Sequence, residues 1–264
     1  MKIHFLGTGS AFTLKNFHSN YLIESNNKFL LIDAGSDIRF SLNNMKKSYK
    51  DIDSVYISHL HGDHVGGIEY LGFTSYFDQT KEKIKLFANH TVMKDILPKG
   101  MESLQMQEAN IKTYFDINKI RDNSTFEWEG LICKPIQSVH IMNGFTTIPS
   151  FGLMITNKET NKTVYFTTDT QYCPHQLKDF MKMANLIILD CETTPYNSGV
   201  HGNFNEWKEF PQSLKSKFLM THYQDNVLSE DGFYISDEWY VKAKEAGFIG
   251  FALKGTSIDE GEIE

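Results

Sequence analysis

The sequence predicts an α/β protein in which helices pack outside two central mixed β-sheets, an αββα sandwich. Two observations predict it: short runs rich in branched and aromatic residues recur along the 264 residues, and helical patterns separate the later runs. Strands that alternate with helices place those helices on the outer faces of sheets. We find neither a Pro/Ser-rich linker nor a fixed-period repeat. We therefore expect a single domain over residues 1–264.

Turn residues bound most of the β-type runs, which defines the predicted elements. Strands are predicted at 2–6, 20–24, 29–33, 54–58, 84–88, 125–132, 151–156, 163–168, 186–190, 218–221 and 248–253, with a further strand-like run at 133–139. Helices are predicted at 37–47, 66–77, 92–96, 175–184, 205–214 and 236–246. The acidic tail, residues 259–264, is expected to be solvated and frayed.

Composition excludes several classes of protein. With 41% hydrophobic residues the chain can bury a large core, and a net charge of −7 disfavours stable binding of nucleic acid over the whole surface. No apolar run approaches the roughly 20 residues that cross a bilayer, so we expect no membrane partner. The apolar opening is too short for a signal peptide, which predicts a cytoplasmic location. Cys133, Cys173 and Cys191 form no C-x-x-C pair, which argues against disulfides and thiolate zinc sites.

The strongest local motif follows the predicted strand at 54–58. His59, His61, Asp63 and His64 place three imidazoles and one carboxylate within six residues. If these histidines merely coincided without a metal, burial together would bring desolvation and mutual repulsion. Nitrogen and oxygen donors of this kind suit zinc, and less strongly manganese or iron. The two histidines on the extended segment can point the same way, and the next two donors, at the start of a helix, can turn toward a second ion.

Three more donors stand where apolar runs end. His140 follows the run at 133–139, Asp169 follows 164–168, and His222 follows 218–221. Because the ends of neighbouring strands meet at one rim of a sandwich, these side chains can reach a common place. The sequence therefore predicts a metal site at that rim.

With these residues the chain resembles a metallo-β-lactamase-fold hydrolase over nearly its whole length. The resemblance implies two divalent ions, with Zn²⁺ as the first candidate and Mn²⁺ as the second. It implies that the first ion is held by His59, His61 and His140, the second by Asp63, His64 and His222, and that Asp169 bridges both. Such a pair of ions, about 3.5–4 Å apart, lowers the pKa of a shared water and stabilises developing oxyanions.

Three segments near the N-terminus sharpen the resemblance to the ribonuclease Z-like phosphodiesterase branch. They are Phe-Leu-Gly-Thr-Gly-Ser at 5–10, Ser-Asn-Tyr-Leu-Ile at 19–23 and Leu-Ile-Asp-Ala-Gly at 31–35. The resemblance implies that Asp33 orients a metal-bound imidazole. On spacing alone, Asp33 could equally be a turn former.

The same branch implies a general acid. The segment at 190–194 resembles the one that places a glutamate after a core strand, which here is Glu192, and His201 follows nine positions later. The resemblance implies that Glu192 holds His201 and that His201 protonates the leaving oxygen, which typically contributes ~10²–10⁴-fold in rate. Asp63 is expected to be a third catalytic residue beside His201 and Glu192. Without the resemblance, His201 would be interpreted as an exposed loop residue.

Three hypotheses concern the substrate. A tRNA 3′-processing endonuclease would need a long basic arm between residues 140 and 169, and those 29 positions are taken by two strand-like runs and a turn. The whole chain looks closer to compact phosphodiesterases, including phage-type anti-Pycsar proteins. These hydrolyse the 3′,5′-cyclic nucleotides cCMP, cUMP, cAMP and cGMP, silence a bacterial immune signal and form homodimers whose partner residues help close the pocket. A non-catalytic nucleotide-sequestering protein would not need His201.

Two further expectations concern surfaces. The base of a nucleotide substrate could stack on one of five aromatic side chains, Phe12, Phe17, Tyr76, Phe77 and Tyr223. The alternative for each of them is packing in the core or at the rim. Segments 234–240 and 101–106 are considered as subunit-pairing patches, with core or lid placement as the alternative. His18 is expected to be a hydrogen-bonded loop residue rather than a phosphate contact.

Overall fold

The structure is a computed structural model that describes residues 1–78, 80–99 and 109–263, without the side chains of 97–99. Its described part forms two seven-stranded mixed sheets. The first sheet has the spatial order β14 (Ser257–Asp259), β1 (Lys2–Gly7), β2 (Asn20–Ser25), β3 (Lys28–Ile32), β4 (Ser54–Tyr56), β5 (Ile84–Asn89), β6 (Phe115–Ile120). The second has the order β13 (Gly250–Phe251), β12 (Phe218–Thr221), β11 (Leu186–Asp190), β10 (Thr163–Phe166), β9 (Thr146–Asn157), β8 (Leu131–Asn143), β7 (Phe126–Trp128). The expected patch at 101–106 lies outside the described residues.

Each sheet changes from antiparallel to parallel pairing. Strands β1 to β3 and β7 to β10 pair antiparallel, whereas β3 to β6 and β10 to β13 pair parallel. The carboxyl ends of the parallel strands in each sheet therefore open onto one rim.

Short helices cover both outer faces. They are α1 (Ile38–Asn44), α2 (Gly62–Val65), α3 (Ile68–Phe77), α4 (His90–Lys99), α5 (Ile111–Tyr114), α6 (Pro174–Met183), α7 (Phe204–Trp207), α8 (Gln212–Lys215) and α9 (Asp237–Ala246), with 3₁₀ turns at Tyr49–Asp51, Asp225–Val227 and Glu260–Glu262. In the described part of the chain, none of these helices has the length and apolar character needed to cross a membrane.

Apolar side chains bury in three layers, which is what an αββα sandwich requires. The middle layer lies between the sheets and includes Phe5 and Phe166. One outer layer packs α1, α3 and α4 on the first sheet, and the other packs α6 to α9 on the second. The central layer holds the two parallel rims together, so donors from both sheets can meet.

Local chemistry explains where elements differ from the prediction. The single strand expected at 125–132 is instead β7 and the start of β8, because Glu129 and Gly130 adopt positive φ angles of 44° and 81° and form a hairpin turn. The helix expected at 205–214 is split into α7 and α8, and Pro211, which cannot donate a backbone hydrogen bond, is the N-cap of the second. Strands β6 and β14 were not predicted, since both are polar edge strands.

The acidic tail is docked, so the expectation that it frays is wrong for residues 259–263. The Glu260 carboxylate lies 2.9 Å from the Met1 ammonium nitrogen and accepts hydrogen bonds from Asn157 (2.8 Å) and Thr160. Ile263 is buried in the layer between the sheets. Strand β14 pairs with β1, which closes this edge of the first sheet.

We expect Glu260→Gln to destabilise the folded chain. Burial raises the pKa of Glu260, but hydrogen bonds from Thr160 and Asn157 outweigh it and lower the pKa below its ordinary value. The carboxylate therefore stabilises the fold above about pH 4.3 and loses that contribution as the pH falls through the lowered pKa. At pH 7 the variant should lose about 1–3 kcal/mol of unfolding free energy, measured by urea titration.

The matched control is Glu262→Gln, which changes an exposed carboxylate in the same 3₁₀ turn. This control should match the wild type, and the gap between Glu260→Gln and the wild type should narrow below about pH 4. Equal urea midpoints at pH 7 for both variants would show that the tail contributes nothing to stability.

Candidate metal centre

The parallel strands deliver polar side chains to their shared rim. Asp33 follows β3, His59 lies three residues past β4, and Asp169 lies three residues past β10. Asp190 ends β11 and His222 follows β12 directly. The five side chains are buried, although they come from five different strands in two sheets. The rim is therefore a polar pocket inside an apolar frame.

His140 reaches the rim by another route. It lies inside β8, where the pairing with β9 shifts register between Val139 and Ile141. Such a bulge turns one side chain out of the regular alternation of a strand. His140 is thereby directed to the rim and is buried there.

Backbone strain is concentrated beside the site. Asp33, Thr168 and His222 have positive φ angles of 61°, 48° and 59°, a region that residues with a side chain rarely adopt. Backbone hydrogen bonds hold two of them, from Asp33 to Tyr56 (2.8 Å) and from His222 to Thr8 (2.8 Å). Strain of this kind persists where the surrounding structure fixes it, and it is typical of functional sites.

The first group of donors faces one oxygen of Asp169. Nε2 of His59 and Nε2 of His140 each lie 3.1 Å from Nδ1 of His61. The same two Nε2 atoms lie 3.6 and 3.5 Å from Oδ2 of Asp169. These four side chains converge as a set able to hold a metal ion.

The second group faces the other oxygen. Oδ1 of Asp169 lies 3.0 Å from Nε2 of His64 and 3.5 Å from Nε2 of His222. Both Nε2 atoms lie 3.2 Å from Oδ2 of Asp63. The structure therefore brings together all seven residues that the sequence suggested as ligands, in two groups that share the Asp169 carboxylate.

Outer hydrogen bonds orient the rings. Nδ1 of His64 donates to Asp33 (2.8 Å), and Nδ1 of His140 donates to the Val200 carbonyl (2.8 Å). Ser58 donates its hydroxyl proton to Asp33 (2.7 Å), so its oxygen is free to accept from Nδ1 of His59 at 3.0 Å. Nε2 is then the nitrogen by which each of these three rings faces the centre, as in metal-binding histidines.

Buried charges divide between the two groups. Burial lowers the pKa of His59, His61 and His140, so their rings are neutral and can donate a lone pair. Burial raises the pKa of Asp63, but His64 and His222 outweigh it and hold the pKa below its usual range. Burial lowers the pKa of His64 and His222, but the Asp169 carboxylate outweighs it and raises the pKa of both rings well above its ordinary value. The second group therefore holds protons that a divalent cation would displace, since carboxylates and neutral imidazoles are the ligands that such ions prefer.

The residues present fit divalent metal ions. In the first group, Nε2 of His59, Nε2 of His140 and Nδ1 of His61 face one another. Because neutral His59 and His140 carry their protons on Nδ1, which is bonded outward, these three nitrogens share at most one proton. In the second group, Nε2 of His64 and Oδ1 of Asp169 lie 3.0 Å apart without the geometry of a hydrogen bond, and both are buried with no hydrogen-bond partner in the described residues. Buried polar atoms without partners are costly, and a cation between them would satisfy both groups.

His201 has a different partner from the one expected. Its Nδ1 donates to Oδ2 of Asp190 at 2.8 Å, whereas Glu192 accepts from the backbone of Ser198 at 3.0 Å. The expectation that Glu192 holds His201 is therefore wrong. The side chain of Asp190 also lies 3.4 Å from Nδ1 of His222, so one carboxylate serves both rings.

Asp190 is the functional residue that the sequence interpretation missed. It ends an apolar run, as Asp169 and His222 nearly do, and this pattern could have identified it. The loop after it is compact because Gly202 lies against Trp207, where an added Cβ would come within 2.4 Å of the indole. This packing fixes the turn that carries His201.

The centre opens into a cavity of about 530 Å³. Its lining includes the polar residues His61, Asp63 and His140 and the apolar residues Phe12 and Val200. Among the aromatic residues considered for stacking, Phe12 lines this cavity, whereas Tyr223 is buried and donates its hydroxyl proton to the Ala252 carbonyl. Stacking by Tyr223 is therefore excluded.

The segment between His140 and Asp169 forms a longer hairpin than expected. Strands β8 and β9 continue to pair beyond His140 as far as Asn143 and Thr146, and Gly144 lies in the turn. Residues 141–149 contain no lysine or arginine. A short arm therefore exists, but it lacks the cations that neutralise RNA phosphates.

Comparison with known proteins agrees with this geometry. The family model described as Anti-Pycsar protein Apyc1 matches residues 1–257. An Anti-Pycsar protein Apyc1 of Paenibacillus harenae is 29% identical over 234 residues, covering 86% of this chain and 91% of the relative. Another, of Bacillus phage 010DV004, is 25% identical and covers 97% of this chain and 96% of the relative.

A solved structure gives the fold. The metallo-β-lactamase fold protein YhfI from Bacillus subtilis superposes with a TM-score of 0.71 at 20% identity, covering 98% of this chain and 99% of that protein. The predicted metallo-β-lactamase αββα sandwich is confirmed.

We expect Asp33→Asn to weaken metal retention. The Ser58 backbone donates to one oxygen of Asp33 and Nδ1 of His64 to the other, and an amide offers only one acceptor oxygen. Losing an outer partner of a metal ligand typically costs about 10–100-fold in metal affinity. Chelator competition followed by elemental analysis measures the loss.

The matched control is Asp53→Asn, which also removes a carboxylate that accepts a backbone hydrogen bond, from Phe29 at 2.9 Å, but at the opposite end of β4. Its metal affinity should equal that of the wild type. Equal metal loss in both variants, or no metal loss in either, would contradict the role given to Asp33.

Proposed function

The chain belongs to the Anti-Pycsar protein Apyc1 family, and from this premise we propose that it is a metal-dependent phosphodiesterase for 3′,5′-cyclic nucleotides. Its products would be nucleoside monophosphates, from cCMP, cUMP, cAMP and cGMP. The observation that carries the proposal is the Asp169 carboxylate between two sets of donors at the floor of an open cavity.

Seven side chains would hold the metal ions. His59, His61 and His140 would hold one, Asp63, His64 and His222 the other, and Asp169 would bridge them, with zinc as the first candidate and manganese as the second. Two such ions supply an activated water and neutralise charge on the phosphoryl group. Asp33 and Asp190 fix the rings from behind, so the donors are positioned before substrate enters.

His201 would act as the general acid. Its Nδ1–H group is bonded to Asp190, so Nε2 is the nitrogen that remains outside this bond. The ring lines the cavity. Burial lowers the pKa of His201, but the Asp190 carboxylate outweighs it and raises the pKa above its ordinary value. The ring can therefore be protonated near neutral pH and give its proton to the departing ester oxygen as the P–O bond breaks.

Asp63 has a place in the same step. Its carboxylate lines the cavity and lies 3.2 Å from Nε2 of His222. We propose that it both holds the second ion and faces the nucleophilic water, which makes it catalytic as well as structural. Glu192, which the sequence suggested as catalytic, faces the backbone of Ser198 and is assigned no chemical step.

The cavity supports a small substrate. A volume of about 530 Å³ is in the range of small-molecule sites. The short arm at 141–149 without cations and the net charge of −7 both disfavour an RNA substrate. A tRNA 3′-processing endonuclease is therefore the weaker hypothesis.

The biological setting follows from the family. We propose that the chain folds as one domain over residues 1–264 and works in the cytoplasm, the host cytoplasm if it is phage-encoded, where it silences a cyclic-nucleotide immune signal. We also propose a homodimer. The exposed aromatic residues Phe233, Tyr234 and Tyr240 support a contact surface outside the metal centre.

The test is turnover of cCMP, cUMP, cAMP and cGMP beside a pre-tRNA with a 3′ trailer, with added zinc or manganese. We expect hydrolysis of the cyclic nucleotides and an intact trailer. Trailer removal alone would favour the endonuclease. Tight binding of cyclic nucleotides without turnover would instead favour the sequestering protein.

We expect His201→Ala to retain both metal ions and to lower kcat by ~10²–10⁴-fold, because it removes the proton donor and no metal ligand. Steady-state kinetics and elemental analysis give the two readouts. His175→Ala is the control, since His175 is exposed and lies outside the site. Full activity of His201→Ala would exclude it as the acid, and loss of metal would make it a ligand.

Two further variants test whether Asp190 or Glu192 is the carboxylate that orients His201. Asp190→Asn should lower kcat at least tenfold, because it weakens the orientation of both His201 and His222. Glu192→Gln should stay within about threefold of wild type in kcat if the carboxylate only holds the Ser198 backbone. The reverse order of effects would restore Glu192 as the partner.

A further inference from the structure

Phe12 is an exposed aromatic residue at the mouth of the cavity. The residue is 92% exposed, although it lines the same cavity as Asp63 and His201. A single exposed apolar side chain is ordinary on a protein surface. What distinguishes Phe12 is that it lines the same cavity as the metal-ligand candidates and that hydrogen bonds hold the loop that carries it, residues 10–17.

One carboxylate fixes the far side of this loop. Asp225 accepts a hydrogen bond from the Thr13 hydroxyl at 2.5 Å. Its other oxygen accepts from the backbone nitrogens of Leu14 (2.8 Å) and Lys15 (3.1 Å). Three donors on one carboxyl group hold the backbone directly after Phe12 in one conformation.

A histidine fixes the near side. Nε2 of His18 donates to the carbonyl of Ala11 at 3.3 Å. The backbone nitrogen of His18 donates to Asp37 at 2.9 Å, and Nδ1 lies 3.3 Å from the same carboxyl group. His18 is therefore a loop-positioning residue, as expected from the sequence, and the residue it positions precedes Phe12.

The walls of the cavity divide by chemistry. The metal-ligand candidates and His201 provide charged and polar groups, whereas Phe12, Ile141 and Val200 provide apolar surface. A cyclic nucleotide has the same division, with a charged phosphodiester at one end and a planar base at the other. With the phosphodiester at the donors, the base is left among the apolar side chains.

We propose that Phe12 is the platform on which the base of the substrate stacks, an inference that rests on the proposed function. The backbone on both sides of Phe12 is held in place before binding, so stacking costs little loop ordering. Because every base has a π-face, a stacking platform accepts purines and pyrimidines alike. Phe12 thereby sets how tightly a cyclic nucleotide binds without selecting one base.

The experiment compares Phe12→Ala with Phe12→Tyr and Leu14→Ala in the metal-loaded full chain. Loss of base stacking should raise KM for cAMP and cCMP roughly 5- to 100-fold, with kcat changed less than about threefold. Phe12→Tyr keeps an aromatic face and should restore KM. Leu14→Ala removes an equally exposed apolar side chain, 94% exposed, that does not line the cavity, and should match the wild type.

A second probe tests the base itself. Ribose 3′,5′-cyclic phosphate without a base, used as a competitor, should inhibit Phe12→Ala and wild type equally, since it has nothing to stack. The inference is overturned if Phe12→Ala keeps the wild-type KM, or if it weakens the baseless competitor as much as cAMP. A wild-type chain that hydrolyses no cyclic nucleotide would instead refute the proposed function, and this inference with it.

Discussion

The buried carboxylate of Asp169 lies between two groups of donors, and the rest of the site depends on it. One of its oxygens faces His59 and His140, and the other faces His64 and His222. An ionised group in this position needs positive charge nearby, because burial without a partner is costly. Strained backbone, a bulge in β8 and the packing between the sheets all serve to bring these side chains to it.

Outer hydrogen bonds make the arrangement specific. Asp33 fixes His64, the Val200 carbonyl fixes His140, and Asp190 contacts both His222 and His201. The proposed metal centre and the proposed acid are therefore coupled through one carboxylate. A substitution of Asp190 should therefore affect both the metal centre and the acid. A substitution of His201 should affect the acid alone.

The sequence predicted the fold and the donors because both follow local rules. Apolar runs ended by polar residues identified His140, Asp169 and His222 without structural information. The tertiary contacts escaped this reasoning. Which carboxylate meets His201 depends on the turn that Gly202 and Trp207 fix, 10 or more residues from Asp190 in the chain. The docking of Glu260 on the Met1 ammonium joins the two ends of the chain, and no local pattern reports such a contact.

The central claim is that Asp169 is shared by two metal ions. A crystal structure of the zinc-loaded protein, with data collected on both sides of the zinc absorption edge, tests it most directly. The account predicts two anomalous peaks, one on each side of the Asp169 carboxylate and about 3.5–4 Å apart. A single peak, or two peaks that do not contact Asp169, would contradict the account.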